Sequence, residues 1–196
     1  MNKNIKLMKN ENAFKVLSRA QILKEKGKNI INLGIGQPDF DPPKYVIDAA
    51  INSINEGNHG YSNSKGLLKL RETISKEYQI LYNCNINPDK IIISPGAKPI
   101  IYMAISMLSN YNTEILLSNP SFPIYESIIR YCGGKPVRFN LKEINNFNFI
   151  ADDIIEKITN KTKLIILNFP CNPTGSIIHT DQLKKLLNFV ENLPYK

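Results

Sequence analysis

The sequence predicts an α/β fold: a mainly parallel sheet with helices on both faces, three layers in all. Three observations point to it. Apolar runs of strand length, at 91–93, 114–117 and 164–167, each give way to a turn rich in Gly, Pro or Asn. Amphipathic segments of helical period separate these runs, so that strand, loop and helix follow one another three or four times. The run Leu164-Ile165-Ile166-Leu167 shows no polar alternation, the pattern of a strand covered on both faces.

Composition narrows the class. The chain has 196 residues, 42% apolar and 21% charged, enough for one domain with a sizeable core. A net charge of +8 is spread over the whole chain without a basic block or interleaved aromatics, so nucleic acid is not expected as a partner, while a small anionic ligand is compatible. No apolar run approaches the ~20 residues of a membrane span, and residues 1–12 lack the apolar segment of a signal peptide. The expectation is a cytoplasmic protein without membrane contact. Cys84, Cys132 and Cys171 are scattered and odd in number, which argues against a disulfide framework or a metal site.

In chain order, Ala13, Leu17, Ala20 and Leu23 make a helical stripe ending at Gly27. Ile30 to Leu33 reads as a short strand opening into Gly34-Ile35-Gly36-Gln37-Pro38-Asp39-Phe40-Asp41-Pro42-Pro43, where regular structure is excluded. Gly36 permits close approach of backbone, to another segment or to a ligand. A helix with Val46, Ile47, Ala50, Ile51 and Ile54 inward runs to Gly57, and the polar loop 57–64 holds Tyr61. Leu67, Leu70, Ile74, Tyr78 and Leu81 then trace a second helix with Arg71 and Glu72 on its outer side.

Ile91 to Ile93 predicts a buried strand that enters Ser94-Pro95-Gly96-Ala97-Lys98-Pro99 and then the apolar helix 100–108. Strand, glycine turn and helix start make a phosphate cradle. First-turn N–H groups point at the ligand, the helix dipole adds ~1 kcal/mol, and Lys98 adds charge. Neither G-x-G-x-x-G nor G-x-x-x-x-G-K-[ST] is present, so no dinucleotide or P-loop reading is supported.

Glu114 to Leu117 is the next strand. Phe122, in the Pro-bounded loop after it, either stacks on a planar ligand ring or plugs the core. A helix over Ile124–Tyr131 ends at Gly133-Gly134, Pro136 to Phe139 is a strand, 140–150 a polar loop, and Asp152 to Ile158 a short helix. The strand 164–167 then ends in Asn168-Phe169-Pro170-Cys171-Asn172-Pro173-Thr174-Gly175. Open α/β sheets bind ligands at the carboxyl ends of their strands. Pro170 and Pro173 stiffen the turn and present the Asn172 amide, donor and acceptor together, in one direction; an ordinary strand-to-loop corner is the alternative. Thr180 is placed to cap the last helix, whose buried face is Leu183, Leu186, Leu187 and Val190.

Four motifs in this order resemble one family. Gly36-Gln37-Pro38-Asp39-Phe40 is similar to G-x-P-D-F. Tyr61 precedes a G-x-x-x-L-R-E helix (Gly66, Leu70, Arg71, Glu72), Gly96-Ala97-Lys98 is similar to a phosphate turn, and Asn172-Pro173-Thr174-Gly175 to N-P-T-G. From about Ile31 to the end, the chain resembles the N-terminal half of the class I/II, fold type I, pyridoxal-phosphate-dependent aminotransferases. The resemblance implies that 1–40 form an N-terminal helix and lead-in segment belonging to the small domain. It makes 41–196 the N-terminal part of an incomplete cofactor-binding large domain.

Pyridoxal 5'-phosphate is the implied cofactor. The resemblance assigns the turn Gly96-Ala97-Lys98 to its phosphate through the amides of Ala97 and Lys98, Phe122 to the face of its ring, and Asn172 to its phenolic oxygen. It assigns the Gly36 backbone to the substrate carboxylate and Tyr61 to the phosphate of a neighbouring subunit in a homodimer. Amino acids and 2-oxo acids are the implied substrates. The family's Schiff-base lysine, the Asp on the pyridine nitrogen and the Arg on the substrate carboxylate belong to its later half, and Lys98 matches the phosphate turn instead. The expectation is a truncated or split aminotransferase with no catalytic lysine of its own, inactive alone and paired as a homodimer or with a complementing C-terminal half. A fold type I lyase or synthase fragment, or a non-catalytic degenerate fragment, are the alternatives.

Overall fold

The structure, a computed structural model, describes residues 5–6 and 12–194. The chain divides into two compact units, one of Val16–Pro99 and one of Ile100 onward with the residues up to Lys15.

In the 16–99 unit, helices form where the apolar period predicts them. Helix α1 (Asn12–Glu25) stops at Gly27, whose φ is +75°. The Gly27 N–H donates to the Lys24 carbonyl (2.9 Å) and the Lys28 N–H to the Leu23 carbonyl (3.0 Å), the paired bonds of a left-handed helix end. Helices α2 (Lys44–Asn55) and α3 (Leu68–Tyr82) follow. Their apolar stripes are not inward: Val46, Ile47, Ile51 and Ile54 on α2, and Leu70, Tyr78 and Leu81 on α3, are all exposed.

The buried residue of α3 is Arg71, expected on the outer side. Hydrogen bonding is the reason. Its Nε donates to the Gly66 carbonyl (3.3 Å), and its Nη1 donates to the Pro88 carbonyl (2.9 Å) and lies 3.2 Å from the Asp89 carboxylate. The guanidinium thereby clamps the start of α3 to the 3₁₀ turn Pro88–Lys90. A Cβ on Gly66 (φ +93°) would stand 2.6 Å from the Cβ of Ile93, so backbone conformation and close approach both demand glycine.

The strands expected at 30–33 and 91–93 are absent. Ile31, Leu33 and Ile92 are exposed, and the Ile93 N–H makes one backbone bond, to the Lys65 carbonyl (2.9 Å). An extended segment becomes a strand only by pairing along a ladder, and neither segment has a ladder partner among the described residues.

The second unit holds a three-layer α/β arrangement. Helix α4 (Ala97–Leu108) leads to β1 (Glu114–Asn119), α5 (Ile124–Tyr131), β2 (Lys135–Asn140), α6 (Ala151–Ile155), β3 (Thr162–Ile166) and α7 (Thr180–Glu191). The sheet order is β2-β1-β3, with both pairings parallel. Leu116 lies opposite Val137 and Ile165 and packs with Phe139, Phe149, Ile154 and Leu186 on the α6/α7 face. Its neighbours Ile115 and Leu117 pack with Ile105, Ile128 and Ile129 on the α4/α5 face.

The strand covered on both faces is therefore β1, buried from Glu114 to Ser118, rather than the run 164–167. β3 is half-buried because it lies at the end of the strand order, and it stops at Ile166. Thr180 also differs from expectation. It is the first helical residue of α7, so His179 takes the capping position, without a side-chain cap bond.

Glu114, 8% exposed, sits at the base of β1 with Lys135 Nζ at 2.9 Å and Thr159 Oγ1 at 2.7 Å. The hydrogen bond from Lys135, then that from Thr159, hold its carboxyl below the usual carboxylate range against the opposing effect of burial. A lowered folded-state pKa contributes stability that is fully present above the unfolded value of about 4.3 and is lost as pH falls through the folded value. Glu114→Gln is expected to cost about 1–2 kcal/mol at neutral pH. It should also flatten the loss of stability at acid pH, as read by urea unfolding across a pH series.

Candidate functional site

Because the three strands run parallel, their carboxyl ends at Asn119, Asn140 and Ile166 share one edge of the sheet. The loops 120–123, 141–150 and 167–176 leave from that edge, and Asn119 Nδ2 donates to Asn140 Oδ1 (3.0 Å) across it. The first and third of these loops contain Phe122 and Asn172. The peptide bonds before Pro120, Pro170 and Pro173 in the same loops are cis.

Phe122 is half-buried. It packs against the α4/α5-side core and meets the Tyr125 ring edge-on, at 5.8 Å between centroids and 85° between planes. Burial raises the Tyr125 hydroxyl above its ordinary value. Asn172 is exposed, and its side-chain amide has no hydrogen-bond partner among the described residues. The turn carrying it is closed by two backbone bonds: Cys171 N–H to the Ser176 carbonyl (2.8 Å) and Gly175 N–H to the Cys171 carbonyl (2.7 Å). An aromatic face and an outward amide donor at the carboxyl edge suit a planar ligand that carries an oxygen anion.

In the 16–99 unit, the turn before α4 is built by local polar bonds. The Gly96 N–H donates to the Ser94 carbonyl (2.8 Å), and Ser94 Oγ donates to the Gly96 carbonyl. Gly96 has φ +88°, and a Cβ there would meet no atom within 4 Å. Helix α4 begins at the next residue, Ala97, and the first turn of a helix offers N–H groups that lack intrahelical acceptors, an anion-binding arrangement. Tyr61 is fully exposed, on the rim of a hollow of about 1160 Å³ that Asn58, Ser62, Ser94 and Pro95 also line. Gly36 is exposed as well. A Cβ built on it would meet no atom within 4 Å.

The structural roles of three residues were not legible in the sequence. Arg71 carries no periodic signal that separates a buried clamp from a surface charge. Tyr125 and Ser176, the latter closing the Asn172 turn, stand among the candidate residues yet belong to no motif that singles them out.

The sequence profile of aminotransferase class I and II matches residues 28–194. The chain belongs to the class I and II aminotransferase family. It is 41% identical over 162 residues to a probable aspartate aminotransferase of Methanocaldococcus jannaschii, covering 83% of this chain and 43% of that protein. It is 39% identical over 181 residues to the (5-formylfuran-3-yl)methyl phosphate transaminase of the same organism, covering 92% and 46%. The alanine aminotransferase structure from Pyrococcus furiosus superposes with a TM-score of 0.90 at 31% identity, covering 97% of this chain and 49% of that one. This aminotransferase-family chain therefore spans about half the length of the curated relatives it matches.

A side chain at Gly96 must adopt a positive φ, which costs an L-residue about 1–2 kcal/mol. Gly96→Ala is expected to lower the urea midpoint accordingly. Gly60→Ala, at a position of ordinary φ where a Cβ also meets open space, should leave it unchanged.

Proposed function

We propose that this chain is the cofactor-binding part of a pyridoxal-phosphate-dependent aminotransferase acting on amino acids and 2-oxo acids. Residues 1–196 by themselves bind the cofactor and do not turn substrates over. The observation that carries the reading is the family match across 28–194, which takes in both Gly96-Ala97-Lys98 and Asn172-Pro173-Thr174-Gly175.

The donor set fits the cofactor. A helix start behind a positive-φ glycine suits a phosphate dianion, a half-buried aromatic suits a pyridine ring, and an exposed amide without a partner among the described residues suits a phenolate oxygen. In this reading the amides of Ala97 and Lys98 hold the phosphate, and Phe122 lies on the ring face. Asn172 Nδ2 donates to the phenolic oxygen, a charge-assisted bond worth about 1.5–3 kcal/mol. The Gly36 backbone lies near the substrate carboxylate. Tyr61, fully exposed, is available to reach the phosphate of a neighbouring subunit.

When bound, the cofactor supplies an electron sink for charge that develops at the substrate α-carbon. This chain's residues orient the ring and neutralise its anionic groups. The base for the α-proton belongs to the stretch of the relatives that the chain does not align with, and general base catalysis alone contributes ~10² to 10⁴ in rate. The exposed apolar stripes of α2 and α3 support assembly with a second copy or with a complementing C-terminal half. Among the described residues no helix is long and apolar enough to cross a membrane, and we place the protein's work in the cytoplasm.

The reading is tested by equilibrium dialysis of the 196-residue chain against pyridoxal phosphate, followed by borohydride reduction and mass mapping of modified lysines. Saturable binding that weakens in Phe122→Ala, no 2-oxo acid production from amino acids, and only scattered lysine modification are expected. Stoichiometric modification of one lysine, with 2-oxo acid production abolished by replacing it, would overturn the claim that these residues lack their own catalytic lysine.

A further inference from the structure

The turn that carries Asn172 is tied to a loop 29 residues earlier in sequence by one buried hydroxyl. Ser176 is 9% exposed, and its Oγ lies 2.9 Å from the Phe147 carbonyl. A carbonyl only accepts, so the Ser176 hydroxyl proton points to Phe147. The Thr174 hydroxyl, 2.9 Å from Ser176 Oγ, must then donate to it. The Ser176 N–H approaches Thr174 Oγ1 at 3.4 Å, and the Ser176 carbonyl receives the Cys171 N–H that closes the turn. Every polar group of Ser176 is thus committed to holding the segment 171–176.

The receiving loop is conformationally demanding. Asn146 and Phe147 both have positive φ, +49° and +54°, without being glycine. Phe147 packs against the core on the α6/α7 face, and the next residue, Asn148, is buried with its Oδ1 unpartnered among the described residues. Such backbone persists only where surrounding contacts over-determine it, and the Ser176 hydroxyl is one of those contacts. Without it the Phe147 carbonyl loses its side-chain donor and the turn loses its anchor.

We propose that Ser176 is a positioning residue for Asn172. By bonding the Asn172 turn to the rigidly packed Phe147, it fixes the direction in which the Asn172 amide meets the cofactor's phenolic oxygen. The inference rests on the reading of Asn172 as a cofactor contact.

The test uses the full chain and two probes, pyridoxal phosphate and its 3-O-methyl ether, which offers no phenolate. Dissociation constants are measured for the wild type, Ser176→Ala, Ser176→Thr and Asn172→Ala. Ser176→Ala is expected to weaken pyridoxal phosphate about tenfold, leaving the ether unchanged, with Ser176→Thr restoring most of the loss. Amide hydrogen exchange on the unliganded chain should show faster exchange at Cys171 and Gly175 in Ser176→Ala while β1 stays protected.

Unchanged exchange at those amides would overturn the inference, whether or not any cofactor binds. Equal weakening of both probes would also overturn it, since that is loss of structure rather than of aim. Weakened binding in Asn172→Ala with wild-type binding in Ser176→Ala overturns the Ser176 role alone. No effect of Asn172→Ala overturns the cofactor reading of Asn172, and this inference with it.

Discussion

Parallel pairing of β1 with a strand on each side constrains everything else in the 100–196 unit. A parallel ladder requires each connection to cross back over a face of the sheet, which places α5 on one face and α6 on the other. Burial of Ile115, Leu116 and Leu117 on alternate faces, about 1.5–3 kcal/mol for each side chain, outweighs the net gain of any single hydrogen bond in the unit. The same pairing gathers three loop exits at one edge. That the loops of Phe122 and Asn172 leave from one edge is therefore a consequence of strand direction.

Packing does not reach the loops themselves, and there polar contacts take over. Glu126 on α5 receives Arg130 from its own helix and Arg138 from β2. Burial, the largest single influence on the Glu126 carboxyl, pushes its pKa up, but the bonds from the two arginines together hold it below the ordinary value. That ion cluster fixes α5, and with it the Phe122 loop, to the sheet. The Ala151 N–H at the start of α6 donates to Gln182 Oε1 (2.9 Å), binding α6 to α7 on the opposite face. In the 16–99 unit Arg71 does comparable work, joining Gly66 and Pro88 through a guanidinium that is almost fully buried.

Much of this was legible in the sequence, for identifiable reasons. The helix period, the glycine after α1 and the apolar runs that became β1 and β3 are local signals, and local signals survive folding. The segments 30–33 and 91–93 read as strands because apolarity reports burial potential, whereas a strand also needs a neighbour, which no local pattern encodes. The choice of central strand was missed for the same reason: four apolar residues at 164–167 outshine 114–117, yet strand order decides burial. Among the site residues, Asn172 and Gly96-Ala97-Lys98 stand out because prolines and glycines punctuate them. Arg71 and Ser176 act through carbonyls distant in sequence, and nothing in their own neighbourhood announces that.

In the proposed function the amides of Ala97 and Lys98 and the side chain of Asn172 each meet pyridoxal phosphate. Titrating ¹⁵N-labelled chain with pyridoxal phosphate and following individual amide resonances tests it most directly. Shifts of Ala97, Lys98 and the Asn172 side-chain amide that saturate together at a single midpoint are the predicted result, with inorganic phosphate moving only the first two. Responses with separate midpoints, or shifts scattered over surface lysines while Asn172 stays unmoved, would contradict it.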